Sequence, residues 1–533
     1  MNAIKGDFGS LADILRRNAA HFSDVPAVLF EGKARSHRDL LSRARCIGSA
    51  LAQRGIGPGD RVAILSHNAM EFTEIYAATE LAGVVAVPLN HRLAQPEIGR
   101  ILLDAEPALL FYQSGFADMV DELKPALGSI RHFVRIAENE GDAEDYSTLV
   151  KQGDPAWEEP RFASGEIAHL LYTSGTTGRP KGCLQSHRSS AFAANNISAV
   201  MQSDCHDRGL LVMPICHAGG KRFQMATHWQ AGSLYMLRAF DTEKVLRTIA
   251  EEKITILHLA PTMIQMLLEY PGSADYDLGS VKTAVYGAAP MPLPLLRRGI
   301  ERFGQIFVQM YGQTEGDGLV LAKGFHQTTG EKESVRRLTS IGHPTPGVEL
   351  RVADEDDNPV PDGTAGEMLL RSPTVMEGYW RDAQASEQTL RGGWLHTGDI
   401  VVRDPDGFIH LVDRKKDLII SGGLNISSRE VEDALMAHPD VLEASAIGVP
   451  DDKWGEAVLA LIVLRPGAAF DAAALTALCR QHIAGYKVPK AIRAVTELPR
   501  LPTGKINKVE LRKRHAGPPE AGSRLAVDRQ RKP

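Results

Sequence analysis

The chain has 533 residues, 43% apolar and 24% charged, with a formal net charge of −6. That length exceeds one ordinary hydrophobic core, so two or more domains are expected, with the composition of a globular protein. The mildly acidic balance gives no electrostatic footing for nucleic acid or an anionic membrane, and no apolar run approaches the roughly 18 residues of a spanning helix.

Met1 to Ser10 lacks a basic region followed by an apolar core, so no secretory signal is expected. Ser10 is placed to cap a helix with Leu11, Ile14 and Leu15 on one face. Leu40, Leu41, Ala44, Ile47, Ala50 and Leu51 repeat at helical spacing, and Gly55 ends that run. Val62 to Leu65 reads as a buried strand, Glu71–Ala82 as a helix and Val84–Pro88 as a strand. This alternation, kept up for some four hundred residues, argues for parallel sheets covered by helices. After Gly407 the texture changes. Phe408–Val412 is a strand, Asp413 to Asp417 a charged break, and Ser428–Met436 a helix; two strands across Ala444–Gly448 and Ala457–Leu464 and a helix across Ala472–Ile483 complete a small α+β domain. Beyond His515, Pro, Gly, Arg and Gln dominate, as in a frayed tail. Cys46, Cys183, Cys205, Cys216 and Cys479 form no Cys-x-x-Cys pair, which suits a reduced cytoplasmic protein without structural zinc.

Five segments carry candidate chemistry. In Tyr172-Thr-Ser-Gly-Thr-Thr-Gly-Arg-Pro-Lys-Gly182, hydroxyls and glycines precede a lysine. Such a loop can turn N–H groups, hydroxyls and an ammonium toward a polyphosphate, or it is a plain polar turn. It is not a Walker A loop, because Gly182 follows Lys181 where Ser or Thr is needed. Tyr311-Gly-Gln-Thr-Glu-Gly316 sets a hydroxyl beside a carboxylate. Glu315 suits Mg²⁺ and Tyr311 a purine ring; the bland alternatives are a solvated carboxylate and a half-buried aromatic. Thr397-Gly-Asp399 puts at a strand end a carboxylate able to accept two ribose hydroxyls, or is simply a turn. Asp413-Arg-Lys-Lys416 with Ser421-Gly-Gly-Leu-Asn425, and Leu501-Pro-Thr-Gly-Lys505, are each weak alone.

Together and in this order, the segments resemble the adenylate-forming superfamily of acyl-CoA synthetases, aryl-CoA ligases, luciferase and peptide-synthetase adenylation domains, from about Ser10 to Leu511. The resemblance implies an α/β fold: a large N-terminal part of two α/β subdomains plus a distorted β-barrel, with a small mobile α+β lid. It implies domains over 1–412 and 413–515, a tail over 516–533, and a hinge at Lys416. It also implies ATP, Mg²⁺ and coenzyme A, with a small carboxylic acid as substrate, and leaves the oligomeric state open, a homodimer among the options. By the same resemblance, Thr173, Ser174, Gly175, Thr176, Thr177 and Lys181 surround the phosphates. Gly287, Ala288, Ala289 and Tyr311 sandwich the adenine, Gln309 faces its amino group, and Gly312 lies beside them. Thr314 touches phosphate, Glu315 holds Mg²⁺, and Asp399 and Arg414 hold the ribose. Gly422, Gly423 and Asn425 line the thiol channel, and Lys505 acts in adenylation.

The implied chemistry joins two anions, a carboxylate and the α-phosphate, so positioned positive charge is the main requirement. In Met213-Pro-Ile-Cys-His217, the histidine matches the family's residue at the mouth of the acid pocket, or is a satisfied structural histidine. That pocket is expected from 217–223, 286–288 and 312–319. Leu424 and Ser427-Ser428 depart from the usual lid residues, which bears on the thiol contacts. Lys221, Arg222 and Asp317 bring charge to the pocket segments and suggest a polar or second-carboxylate acid, or else they face outward. The leading expectation is acyl-CoA formation; the alternative is a standalone enzyme loading a carrier-protein phosphopantetheine.

Overall fold

The computed structural model describes residues 9–137, 145–173, 180–289, 291–328, 332–415, 417–421, 424–451, 454–501 and 504–515. The chain divides into two compact units, residues 1–350 with 369–397, and residues 351–368 with 398–533.

The larger unit is built on two sheets. In the first, strands 307–312, 283–287, 256–259, 208–211, 233–236 and 26–30 run parallel. Antiparallel strands close both edges. In the second, strands 167–173, 85–89, 61–65, 109–113 and 132–136 are parallel, and 181–186 then 378–379 extend one edge antiparallel. One core takes Val28, Leu211 and Val285 from the first sheet and Val62, Ala86 and Phe111 from the second. The helices His37–Gln53, Met70–Ala82 and Ala218–Trp229 contribute Ile47, Phe72 and Phe223 to it. Met70–Ala82 is buried around nearly its whole circumference, as its mostly apolar sequence requires. Ser10 caps Leu11–His21 reciprocally with Asp13, and Ser36 does the same for His37–Gln53 with Asp39.

The smaller unit holds most of a four-stranded sheet, 349–353, 365–371, 395–403 and 409–414 in that order, whose first three strands begin or end in the larger unit. A second sheet pairs Val441–Asp451 with Gly455–Leu464 and is packed by Ser428–Met436 and Ala472–His482. The strand expected to stop at Val412 runs on through Asp413 and Arg414, opposite Ile400 and Asp399. Both residues are held there by side-chain partners, so the charged run begins inside a strand and not in a turn. Asp399 is likewise inside Leu395–Arg403 and not at a strand end.

Candidate active site

In the larger unit, the predicted site residues gather at the C-terminal edges of parallel strands, where open α/β sheets bind ligands. Strand Thr283–Gly287 delivers Gly287, Ala288 and Ala289, and its neighbour Phe307–Gly312 delivers Gln309, Tyr311 and Gly312. A Cβ at position 287 would lie 2.6 Å from the Met310 carbonyl oxygen, so this approach of two backbones requires glycine. Ala288 adopts φ +66°, a left-handed conformation that costs an L-residue about 1–3 kcal/mol. Such a position persists where its surroundings fix it, and both alanines here are exposed beside half-buried Tyr311.

The motif around Glu315 is a tight turn in which the Gln313 N–H donates to the Gly316 carbonyl at 2.8 Å. Gln313 Nε2 also donates to the Tyr311 hydroxyl at 3.1 Å, fixing the ring. Gln185 Nε2 donates to the Thr314 carbonyl at 2.7 Å. Strands Ile167–Thr173 and Lys181–Ser186 form a hairpin in which Thr173 faces Lys181. Ser174, Gly175, Thr176 and Thr177, at its tip, lie outside the described residues, as do Lys416, Gly422 and Gly423 of the smaller unit.

Tyr379, which no sequence signal marked, brings the two motifs together. Its strand pairs Tyr379 with Cys183 in the hairpin. Its hydroxyl donates to Glu315 Oε1 at 3.0 Å, and Lys181 Nζ sits 4.8 Å from its ring centroid. Burial first, then the Glu315 charge, push the phenol well above its ordinary range, so it stays a donor. One aromatic side chain therefore spaces Lys181 of the hairpin from the Glu315 carboxylate of the second motif. Among the described residues no group of three or more His, Cys, Asp or Glu could enclose a metal. Glu315 offers a single carboxylate, a donor set that fits Mg²⁺ completed by phosphate oxygens and water.

His217 stands at the N-cap of Ala218–Trp229, half-buried. The loop before it is fixed by Asn68, also unmarked by sequence. Asn68 Nδ2 donates to the carbonyls of Met213 at 3.1 Å and Leu237 at 3.0 Å, and its Oδ1 accepts from the Ile215 N–H at 2.8 Å.

Lys221 and Arg222 do not face outward. Lys221 is 2% exposed and pairs with Glu80 at 2.6 Å over the Tyr76 ring. Burial raises the Glu80 carboxyl, and the Lys221 ammonium with His169 outweighs it, bringing it to about 2. Arg222 Nε lies 3.0 Å from Asp317 Oδ2, and its Nη1 donates to the Gln313 carbonyl at 2.8 Å. These charges neutralise one another within the protein, which removes the reason to expect a charged acid body. Tyr286 is no pocket wall beside His217. It packs in the core on the other face of the sheet and bonds His326 Nε2 at 3.0 Å.

In the smaller unit, Asp399 and Arg414 are cross-strand partners, with Arg414 Nε 2.6 Å from Asp399 Oδ1. Asp399 has no measurable exposure (0%). Asn425 lies in strand Leu424–Ile426. Lys505 is exposed on a tight return of the chain. The Leu501 N–H donates to the Lys505 carbonyl at 2.7 Å, and Gly504 turns with φ +86°. Asp413, which sequence treated as linker, accepts from the Ser428 N–H and from Ser428 Oγ at 2.8 Å. Lys508 Nζ donates to the same hydroxyl oxygen at 2.6 Å.

The chain matches the family model of the AMP-binding enzyme over residues 15–380 and that of the AMP-binding enzyme C-terminal domain over residues 430–505. A feruloyl-CoA synthase of Amycolatopsis sp is 36% identical over 502 residues, 93% of this chain and 97% of its own length. An indoleacetate–CoA ligase of Aromatoleum aromaticum is 33% identical over 503 residues, 94% of this chain and 97% of its own. An anthranilate CoA ligase in complex with anthranoyl-AMP superposes with a TM-score of 0.87 at 28% identity, covering 95% of this chain and 97% of that one. Sequence and fold thus agree over nearly the full length, and the chain belongs to the family of AMP-binding enzymes.

Proposed function

We propose that the protein is an AMP-forming acid–thiol ligase. A carboxylate oxygen attacks the α-phosphorus of ATP, the bond to pyrophosphate breaks, and an acyl-adenylate forms. The sulfur of coenzyme A then attacks the acyl carbon, AMP leaves, and the thiol proton passes to solvent. The observation that carries this reading is the meeting of Lys181 and Glu315 on Tyr379 at strand ends next to Tyr311. A cation and a carboxylate set on two sides of one ring suit a metal-bound polyphosphate.

In this reading Lys181, with Thr173 to Thr177, grips the departing phosphates. Glu315 would hold Mg²⁺, which would supply charge neutralisation on the triphosphate. Tyr311 and Gly287 to Ala289 take the adenine with Gln309, and Asp399 and Arg414 take the ribose. Lys505 supports adenylation from the smaller domain, which begins near Asp413 and turns about Lys416. Gly422, Gly423 and Asn425 receive the pantetheine chain. His217 stands at the acid pocket. The named activities of the relatives, on feruloyl, indoleacetate and medium- or long-chain fatty acyl groups, place both aromatic and aliphatic acids among the candidates. We assign the enzyme to the cytoplasm, where ATP and coenzyme A are both supplied.

Pyrophosphate release tests the reading. Purified enzyme with ATP, Mg²⁺ and a panel of aromatic and aliphatic acids should release pyrophosphate and, with coenzyme A, yield acyl-CoA. Adenylation without acyl-CoA would move the acceptor to a carrier protein. Silence across the panel would overturn adenylation itself.

A further inference from the structure

A cavity of about 370 Å³ opens on the second sheet of the larger unit. Its lining takes Arg61, Val85 and Ile167, the first residues of three neighbouring parallel strands. Thr173 ends the strand that Ile167 begins, so the cavity starts at the opposite end of the strands from Thr173 and Lys181. Leu170 and Leu184, cross-strand partners in the hairpin, form apolar walls with Phe162 and Trp380. Gly83 turns with φ +66°, and a Cβ there would meet Phe162 Cδ1 at 2.9 Å, so glycine is what lets the ring close this side. The volume falls within the roughly 300–1,000 Å³ of small-molecule pockets.

Half-buried Arg61 is the polar anchor of this cavity. Its Nε and Nη2 donate to the carbonyls of Ala105 at 3.1 Å and Glu106 at 3.0 Å, and its guanidinium lies 5.3 Å from the Trp380 ring centroid. Trp380 Nε1 in turn donates to the Asp104 carbonyl at 3.0 Å. The Glu106 carboxylate pairs with Arg381, and Arg61 has no ion-pair partner among the described residues. Arg161 and Glu166 are the other charged residues of the lining, both exposed. Two guanidiniums against one carboxylate leave one positive charge uncompensated on a wall that is otherwise mostly apolar. A fixed guanidinium of this kind recognises an oxyanion through charge-assisted hydrogen bonds.

We propose that this cavity is a second small-molecule site, separate from the nucleotide site, and that it binds a monocarboxylate with an apolar body. The carboxylate accepts from Arg61 and faces Arg161, while the body lies against Leu170, Leu184, Phe162 and Trp380. A single negative charge balances the lining, whereas a doubly charged headgroup would exceed it beside Glu166. Burial of the apolar body supplies affinity, and the guanidinium selects the acid over its uncharged analogue. The proposal goes beyond the adenylation reading and does not depend on it.

The test is photo-crosslinking of the full chain with a diazirine-bearing decanoate, the labelled residues mapped by peptide mass spectrometry. Label should appear on the walls of the cavity, at Phe162, Leu170, Leu184 or Trp380. Unlabelled decanoate should compete for it, and 1-decanol should compete at least ten-fold less well, by roughly the worth of one charge-assisted hydrogen bond. Arg61→Gln should weaken competition by decanoate about ten-fold. Arg161→Gln, a change on an exposed side chain that the fold tolerates, should weaken it roughly two-fold or more. Label absent from the cavity walls, decanol competing as well as decanoate, or competition unmoved by both variants would overturn the proposal. Each of these results leaves adenylation standing, because pyrophosphate release tests it separately.

Discussion

At the residue scale, Tyr379 is the test of how the two motifs cooperate. Tyr379→Phe keeps the ring beneath Lys181 and removes the hydrogen bond to Glu315. A hydrogen bond to a carboxylate is worth about 1.5–3 kcal/mol, so kcat/KM for ATP should fall roughly ten-fold or more, read by pyrophosphate release at varied ATP. A change smaller than about two-fold would mean that the bond does not orient Glu315 for the nucleotide. Lys181, Glu315, Asp399 and Arg414 were legible as candidates because their chemistry shows in their residue types. Tyr379 and Asn68 were not, because what they do depends on neighbours distant in sequence. For Lys221 and Arg222 residue type misled. Lysine and arginine are usually exposed, and only the positions of Glu80 and Asp317 explain their burial.

At the element scale, the helix Ala218–Trp229 is tied down by buried charge. Lys221→Met leaves Glu80 enclosed without its ammonium and should destabilise by about 3–5 kcal/mol in urea unfolding. Adding Glu80→Leu should restore much of that loss, since an apolar pair replaces a desolvated ionic one. The last turn of the same helix carries His228, whose ring meets His37 edge-on at 5.6 Å. Burial above all lowers these imidazoles, to about 3 for His228 and about 4 for His37. Their folded values lie below the unfolded one, so the unfolded chain binds more protons below pH of about 6.5. Stability is complete above that pH and declines toward pH 4, by about 1.4 kcal/mol per pH unit for each ring. Thermal melting should therefore fall between pH 7 and pH 5, less steeply in His37→Leu; a flat profile would contradict the assignment. The helix Ser428–Met436 was readable to the residue from its spacing. Strand 409–414 was not, because its last two residues look like a turn and stay extended only through the partners they find.

At the scale of the whole molecule, the proposed chemistry divides between a large unit that takes the adenine and phosphates and a small one that carries Asp399, Arg414 and Lys505. Lys505→Ala should lower adenylation about 10²–10³-fold and leave conversion of supplied acyl-AMP and coenzyme A nearly intact. Equal loss in both half-reactions would contradict that division. The α+β texture of the C-terminal part was legible from the change after Gly407, whereas how strands pair across the sheet was not, since pairing is written in no single segment. The Asp413 carboxylate gives the proposed pivot at Lys416 a further property. Asp413 precedes the proposed pivot and Ser428 follows it, and these hydrogen bonds join them inside one compact unit. Each bond forfeited by a buried carboxylate costs about 1–3 kcal/mol when nothing replaces it. A lid turning at the proposed pivot would act as a latched door and not a loose flap, and Asp413→Asn should speed the second half-reaction if that turn limits it.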